Sequence, residues 1–180
     1  HPMQRLLLGD AGSGKTIVAA LAALQSIENG YQVALLSPTE ILAEQHYLKL
    51  RDWLKPLGIT PVWLSGSLKK KEKQLAAERI ESGEALLAIG THALFQDKIS
   101  FHKLGLAIVD EQHKFGVQQR LALRSKSVAG AVAPEIRHEP HQLMMSATPI
   151  PRTLAMSYYA DLDVSTIDEL PPGRTPVVTK

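Results

Sequence analysis

No cysteine occurs in the 180 residues of this sequence, which excludes disulfides and thiolate metal sites and is typical of a reducing compartment. No apolar run approaches the roughly 20 residues that a membrane-spanning helix requires. No signal-peptide pattern precedes the first apolar segment. We therefore expect a cytoplasmic protein with no membrane partner. Because position 1 is His rather than Met, and a core strand is predicted almost at once, we also expect a domain excised from a longer protein.

A strong excess of positive charge is also lacking, since 20 Lys and Arg residues against 18 Asp and Glu residues leave a formal net charge of only +2. A free-standing nucleic-acid-binding domain usually has a stronger basic bias. Any contact with DNA would therefore depend on a few placed groups. Hydrophobic residues make up 44% and charged residues 21% of the chain, a balance that favours a folded domain over disorder.

Short apolar segments alternate with helical ones, which is the pattern of a parallel β-sheet flanked by helices. The segments predicted as strands are 6–8, 33–36, 60–64, 86–89, 106–109, 143–145 and 164–167. The segments predicted as helices are 14–29, 40–55, 69–82 and 152–159. Thr39 is placed to cap the second helix. Residues 127–140, rich in Ala, His and Pro, indicate a loop. The predicted fold class is α/β with a mainly parallel central sheet, in a domain over 1–168 followed by a linker over 169–180.

A phosphate-binding loop is predicted between the first strand and the first helix, where the sequence matches G-x-x-x-x-G-K-[ST]. Its residues are Gly9, Asp10, Ala11, Gly12, Ser13, Gly14, Lys15 and Thr16. Glycines let the backbone N–H groups approach phosphate oxygens, and the helix N-terminus adds partial positive charge. Lys15 would reach the β- and γ-phosphates of ATP, and the Thr16 hydroxyl would bind Mg²⁺. The alternative is a chance glycine-rich turn, which the strand–loop–helix context disfavours.

An acidic pair follows the fifth predicted strand, whose apolar residues end in Asp110 and Glu111. An Asp at the carboxyl end of a core strand can hold hydrated Mg²⁺ beside a phosphate loop. The next residue points in another direction and can orient an attacking water as the general base. Alone, such a pair could simply face solvent. Together with the phosphate loop, it predicts Mg²⁺-assisted hydrolysis of ATP, with Asp110 on the metal and Glu111 as the base.

Four short motifs resemble those of superfamily-two helicases. The string Asp-Glu-Gln-His at 110–113 is similar to their DExH box, and Ser-Ala-Thr at 146–148 to their third motif. Ser-Pro-Thr-Glu at 37–40 and Gly-Thr-His-Ala-Leu at 90–94 are similar to their motifs Ia and Ib. The longer strings at 110–117, 147–154 and 168–175 resemble the RecG family of branched-DNA helicases over essentially the whole chain.

The RecG resemblance implies a three-layer RecA-like motor domain of a bacterial, ATP-driven translocase that remodels stalled forks and Holliday junctions. ATP and Mg²⁺ are its implied cofactors, and branched or duplex DNA its partner. It implies that Lys15, Asp110, Glu111 and His113 are catalytic. It further implies that four residues contact DNA, namely Pro38, Thr39, Thr91 and His92. It also implies that three residues couple the ATP site to DNA, namely Gln112, Ser146 and Thr148. A second motor domain with arginine fingers and a wedge domain would lie outside the chain, which alone should be nearly inactive.

Two other functions remain open at this point. An Mfd-type transcription-repair coupling translocase shares several strings, but it typically has a second Glu where Gln112 stands. A nucleotide-dependent switch without motor activity would need the phosphate loop, but it would not need the motifs that resemble Ia, Ib and Ser-Ala-Thr. The sequence on either side of this chain would distinguish an Mfd-type translocase from a RecG-type helicase. The joint presence of the motifs argues against the switch.

Overall fold

A single parallel sheet forms the centre of the computed structural model, which describes residues 2–96, 98–111, 139–148 and 162–168. Its strands within these ranges are β1 (Gln4–Gly9), β2 (Gln32–Leu36), β3 (Val62–Leu64), β4 (Leu87–Gly90), β5 (Leu104–Asp110), β6 (His141–Ser146) and β7 (Asp163–Ile167). They lie in the order β3-β4-β2-β5-β6-β1-β7. Every pairing between them is parallel. The prediction of an α/β fold with a parallel sheet is therefore confirmed.

Three α-helices connect the strands of the described part of the chain, namely α1 (Lys15–Glu28), α2 (Glu40–Leu54) and α3 (Lys70–Glu81). Short 3₁₀ helices follow at Lys55–Leu57 and His92–Phe95, and neither was predicted. The predicted helices at 14–29, 40–55 and 69–82 are confirmed to within a residue at each end. Thr39 caps α2 as predicted, since its Oγ1 accepts a hydrogen bond from the Leu42 N–H at 3.3 Å. The predicted helix at 152–159 lies outside the described residues, as do most of the 127–140 loop and the 169–180 linker.

The connections place helices on both faces of the sheet. The crossovers from β1 to β2 and from β2 to β3 run in one direction along the strand order, and the β3 to β4 crossover runs in the other. Right-handed crossovers therefore put α1 and α2 on one face and α3 on the opposite face. Two separate buried clusters agree with this arrangement. One holds Ala19, Ala23, Leu35, Leu50 and Ile108, and the other holds Leu36, Ala76, Ile80, Leu94 and Val109.

The buried side chain of Gln32 forms hydrogen bonds to three segments at the end of the sheet where its strands begin. Its Nε2 donates to the backbone oxygens of Ile80 and Ala85, each at 2.8 Å, and its Oε1 accepts from the Lys103 N–H at 2.8 Å. The amide side chain is thus satisfied although the residue is only 3% exposed. No helix within the described ranges is long and apolar enough to cross a membrane.

Candidate nucleotide site and nucleic-acid interface

The predicted phosphate loop occupies the turn between β1 and α1. Gly12 and Gly14 have φ angles of 81° and 99°, in the left-handed region that glycine adopts without strain. The Ser13 N–H donates to the Asp10 carbonyl at 3.0 Å and closes the turn. A Cβ atom on Gly9 would collide with the Ser13 hydroxyl. The positive φ angles at Gly12 and Gly14 and the close approach at Gly9 therefore favour glycine at these three positions, as expected of a loop whose backbone wraps around a phosphate group.

The polar groups of this loop are suited to bind a nucleoside triphosphate and its Mg²⁺. Lys15 Nζ donates to the carbonyls of Gly9 and Asp10, at 2.5 and 2.9 Å, so the ammonium lies over the loop. The Ser13 hydroxyl is buried and has no hydrogen-bond partner within the described part of the chain. Thr16, in the first turn of α1, adds a half-buried hydroxyl. An ammonium, hydroxyls and helix N–H groups bind phosphate oxygens, and hydroxyl and carboxylate oxygens are ligands that Mg²⁺ prefers.

The acidic pair lies where β5 ends. Asp110 is its last residue, and one carboxylate oxygen, Oδ1, accepts a hydrogen bond from the Glu111 N–H at 2.9 Å. Glu111 has a φ of 50°, and it is the one residue other than glycine with a positive φ among those described. This conformation costs a bulky residue on the order of 1–3 kcal/mol and is found mainly at functional sites. The positive φ shows that the chain leaves the extended strand conformation at Glu111, directly after Asp110.

The sheet brings the phosphate loop and the acidic pair to one edge. Strand β6 lies between β1 and β5, and its Met145 is paired with Leu7 on one side and Asp110 on the other. Asp110 is therefore level with Leu7, two residues before the end of β1, and two strand spacings away, or roughly 10 Å. Because parallel strands end at the same edge, an arrangement with the two motifs at opposite edges is excluded.

The Ser-Ala-Thr segment starts at the end of β6, the strand between the two nucleotide motifs. Buried Ser146 accepts a hydrogen bond from the Thr148 N–H at 3.2 Å and donates to the Thr148 carbonyl at 3.4 Å. These bonds form a tight turn between the ends of β1 and β5. Two further predicted site residues, Gln112 and His113, lie outside the described residues.

The predicted DNA contacts follow the neighbouring strands β2 and β4. The Ser37 N–H donates to the Gly90 carbonyl at 3.0 Å, which joins the ends of these strands. Thr39 and His92 are exposed just beyond them, and Pro38 is half-buried. Thr91 is only 3% exposed, and its N–H donates to the Leu64 carbonyl at 3.3 Å. The structure therefore leaves Thr39 and His92 as the side chains most accessible to a nucleic-acid backbone.

Glu40, which the sequence reasoning gave no role in the site, holds a neighbouring loop against α2. Its Oε1 accepts from the Ser67 N–H at 3.1 Å and its Oε2 from the Ser67 hydroxyl at 3.0 Å. Lys73 Nζ donates to the Gly66 carbonyl at 2.7 Å from the other side of this loop. The hydrogen bonds from the Ser67 side chain and backbone lower the pKa of the Glu40 carboxyl below its ordinary value. The loop after β3 is thereby held beside the start of α2, next to Thr39.

His46 is a second residue that sequence reasoning missed. It lies on α2, and its Nε2 is 2.6 Å from Asp110 Oδ2 in a buried pair. A signal for it was present, because His46 continues the buried helix positions Ala43, Leu50 and Leu54 at helical spacing. A polar residue on such a face needs a buried partner. The sequence pattern does not identify that partner, which is 64 positions away.

Comparisons with known proteins agree with the fold and the site. The family model described as DEAD/DEAH box helicase matches residues 3–157. The chain is 60% identical over 178 residues to the ATP-dependent DNA helicase RecG of Pasteurella multocida, and 58% identical over 178 residues to that of Escherichia coli K12. Each match covers 99% of this chain and 25% of the relative. A solved structure of RecG bound to a three-way DNA junction matches 98% of this chain with a TM-score of 0.76 and 43% identity, and 22% of that chain is covered.

These similarities confirm two of the predictions made from sequence. The three-layer domain has the RecA-like fold of the RecG motor, and the resemblance of the motifs to RecG extends over 99% of the chain. The chain spans about a quarter of the length of the RecG relatives quoted above.

Proposed function

Because the chain belongs to the DEAD/DEAH box helicase family, we propose that it is the ATP-binding motor domain of a DNA helicase that remodels branched DNA in recombination and repair. The observation that carries this proposal is the common edge at which the phosphate loop and Asp110 flank β6. Support for branched DNA comes from the RecG relatives and from the RecG structure with a three-way junction. A bacterial cytoplasmic location belongs to the same proposal.

The phosphate loop binds and orients the triphosphate in this mechanism. Apart from the Ser13 N–H, which closes the loop, the N–H groups from Gly12 to Thr16 would face the phosphate oxygens, and Lys15 would exchange its two loop carbonyls for the β- and γ-phosphates. Thr16 and Asp110 would hold Mg²⁺, which supplies positive charge against the phosphates when it is bound. The hydroxyl of Thr16 suits direct contact, and the carboxylate of Asp110 suits contact through water.

Glu111 acts on the attacking water. Its carboxylate, at the strained turn after Asp110, would accept a proton from the water whose oxygen bonds to the γ-phosphorus. The bond between that phosphorus and the β–γ bridging oxygen breaks, and ADP leaves. Phosphoryl transfer depends mainly on positioning and electrostatic stabilisation, so the direction of this one side chain has a large effect on rate. The described residues thus account for binding, metal holding and water activation, while the arginine fingers would come from a second motor domain.

In this proposal, coupling to DNA uses the elements beside the phosphate loop and Asp110. The turn of Ser146 and Thr148 starts at the last residue of β6, the strand between β1 and β5. Thr39 and His92 lie beyond β2 and β4 on the same edge. A shift of the nucleic-acid backbone against these loops would therefore displace the ends of the strands that carry the proposed ATP-binding residues. The quoted relatives are RecG proteins, which favours this function over an Mfd-type translocase.

The decisive experiment is removal of the phosphate-loop ammonium. Lys15→Ala removes a group that would form charge-assisted bonds to two phosphates, each worth about 1.5 kcal/mol or more. We expect ATP·Mg²⁺ binding, measured by titration calorimetry, to weaken by about 100-fold or more. Lys49→Ala, which alters an exposed lysine on α2, is the control and should bind ATP like the unmodified chain. Unchanged binding by a folded Lys15→Ala variant would refute the proposed nucleotide site.

A further inference from the structure

His46 has no part in the reaction proposed above, yet it contacts the carboxylate that would hold Mg²⁺. Its Nε2 is 2.6 Å from Asp110 Oδ2, and the side chain of each residue is 11% exposed. An ionised carboxylate only accepts hydrogen bonds, so the imidazole is the donor. Such a short, buried bond restricts both side chains.

The bond completes the fixation of the Asp110 carboxylate. Oδ1 accepts from the Glu111 N–H at 2.9 Å, while Oδ2 accepts from His46 at 2.6 Å. Each carboxylate oxygen has a second lone pair, so both bonds can persist while the group faces a hydrated ion. Together they set the rotation of the carboxylate plane, which no single bond would do.

His46 itself is held in place by the packing of α2. The helix begins at the Thr39 cap, and its buried residues Ala43, Leu50 and Leu54 are at most 1% exposed. Rotation of α2 that moved His46 away would expose these side chains to water. On the sheet, Ile108 packs against the same helix layer, and Asp110 follows two residues later on the same face. The donor and the acceptor are thus presented by two rigid elements.

We propose that His46 is a positioning residue for Asp110, and that its hydrogen bond sets the affinity of the ATP site for Mg²⁺. This inference rests on the proposed function, in which Asp110 holds the ion. Hydrogen-bond partners of metal-binding side chains commonly raise metal affinity or activity by about 10–100-fold. The alternative is a buried histidine that only stabilises the fold.

Substitution of His46 by Gln or Asn distinguishes a positioning role from a purely structural one. The side-chain nitrogen of Gln is as many bonds from Cα as Nε2 of His, whereas that of Asn is one bond closer and falls short of Asp110. In the full-length protein, a fluorescent ATP analogue is titrated with MgCl₂ in the presence of each variant. We expect His46→Asn and His46→Leu to raise the half-saturating Mg²⁺ concentration by about 10–100-fold, and His46→Gln to stay near the unmodified value.

Matched measurements keep the inference falsifiable. His102→Leu changes an exposed histidine that precedes β5 at the other edge of the sheet, and it should leave the Mg²⁺ dependence unchanged. If His46→Leu does not fold, the comparison of Gln with Asn decides. Folded Asn and Gln variants with equal Mg²⁺ dependence, whatever their melting temperatures, would overturn the positioning role. Lys15→Ala in the same assay tests the nucleotide site separately: if it binds normally, the proposed function fails, and if it alone loses binding, only the role of His46 fails.

Discussion

Glu40 and Ser67 form a two-point contact between α2 and the loop after β3. One carboxylate oxygen is 3.1 Å from the Ser67 backbone nitrogen, and the other is 3.0 Å from the Ser67 hydroxyl. Both bonds favour the ionised carboxylate, and they lower the pKa of Glu40 below its ordinary value of 4.5. Protonation of the Glu40 carboxylate in acid should therefore weaken the contact that holds the loop beside the proposed DNA contact.

We predict that this contact makes part of the stability dependent on pH. Because the pKa of Glu40 is lower in the folded chain than in the unfolded chain, its contribution is complete above about pH 4.5. That contribution is lost as the pH falls through the folded-state pKa. Thermal unfolding should show Glu40→Gln less stable than the unmodified chain at pH 7, with the difference disappearing in acid. Glu44→Gln removes an exposed carboxylate from the same helix and is the control for charge alone. A Glu40→Gln difference that persisted in acid would contradict this prediction.

A second prediction concerns the buried amide of Gln32. Gln32→Leu introduces an apolar side chain of similar size, which removes the partners of the Ala85 carbonyl and the Lys103 N–H. The Ile80 carbonyl also loses the amide but keeps the Gly83 N–H at 3.2 Å. Each buried group left unsatisfied costs about 1–3 kcal/mol, so we expect a loss of at least about 2 kcal/mol in the free energy of unfolding. Urea unfolding measures it, with Gln45→Leu on the exposed side of α2 as the control. Equal stability of the two variants would show that water satisfies these groups.

The site residues that the sequence predicts belong to local structures, whereas the residues that it misses contact partners far away in the sequence. The phosphate loop is a local structure, since strand, glycine turn and helix follow one another within a few residues, and the apolar strand before Asp110 is equally local. In contrast, His46 meets Asp110 across 64 positions, and Glu40 meets Ser67 across 27. The helical spacing of Ala43, Leu50 and Leu54 indicates which face of α2 is buried. The strand end that lies against this face is decided by sheet order. Strand order is set by tertiary packing, which single-sequence periodicity does not contain.

A third prediction tests the general base. Glu111→Gln keeps the size of the side chain and removes the group that accepts a proton from water. In the full-length protein, ATP binding should be retained, and the rate of hydrolysis should fall by about 10²–10⁴-fold. Calorimetry and a phosphate-release assay measure the two properties. Near-normal phosphate release would place the base elsewhere.

The chain alone should be a poor ATPase, which is a fourth prediction. The RecG resemblance assigns the arginine fingers to a second motor domain, and removal of such a finger costs about 10³–10⁵-fold in rate. Phosphate release by the chain should therefore be slower than that of the full-length protein by about this factor, and DNA should not restore it. Nucleotide binding by the same sample shows that the site is folded. Robust DNA-stimulated turnover would contradict the assignment.

The fifth prediction concerns the DNA contact at Thr39, where the cap of α2 and the proposed contact coincide. Truncation to Ala would remove both, so the test needs substitutions that keep the cap. Asn and Asp are both strong N-cap residues and have the same shape, but only Asp carries a negative charge. Thr39→Asp should therefore retain the stability of Thr39→Asn while repelling a nearby phosphate.

Fluorescence anisotropy with labelled fork DNA and the full-length protein measures the difference. At low salt, a repulsion of about 1.4 kcal/mol or more between close charges would weaken Thr39→Asp binding about 10-fold relative to Thr39→Asn. The gap should narrow as salt rises, because added ions screen exposed charges. The same pair of substitutions at Thr60, exposed before β3 at the opposite edge, controls for net charge. If Asp and Asn differ equally at both positions, the charge acts from a distance and Thr39 does not contact the DNA backbone.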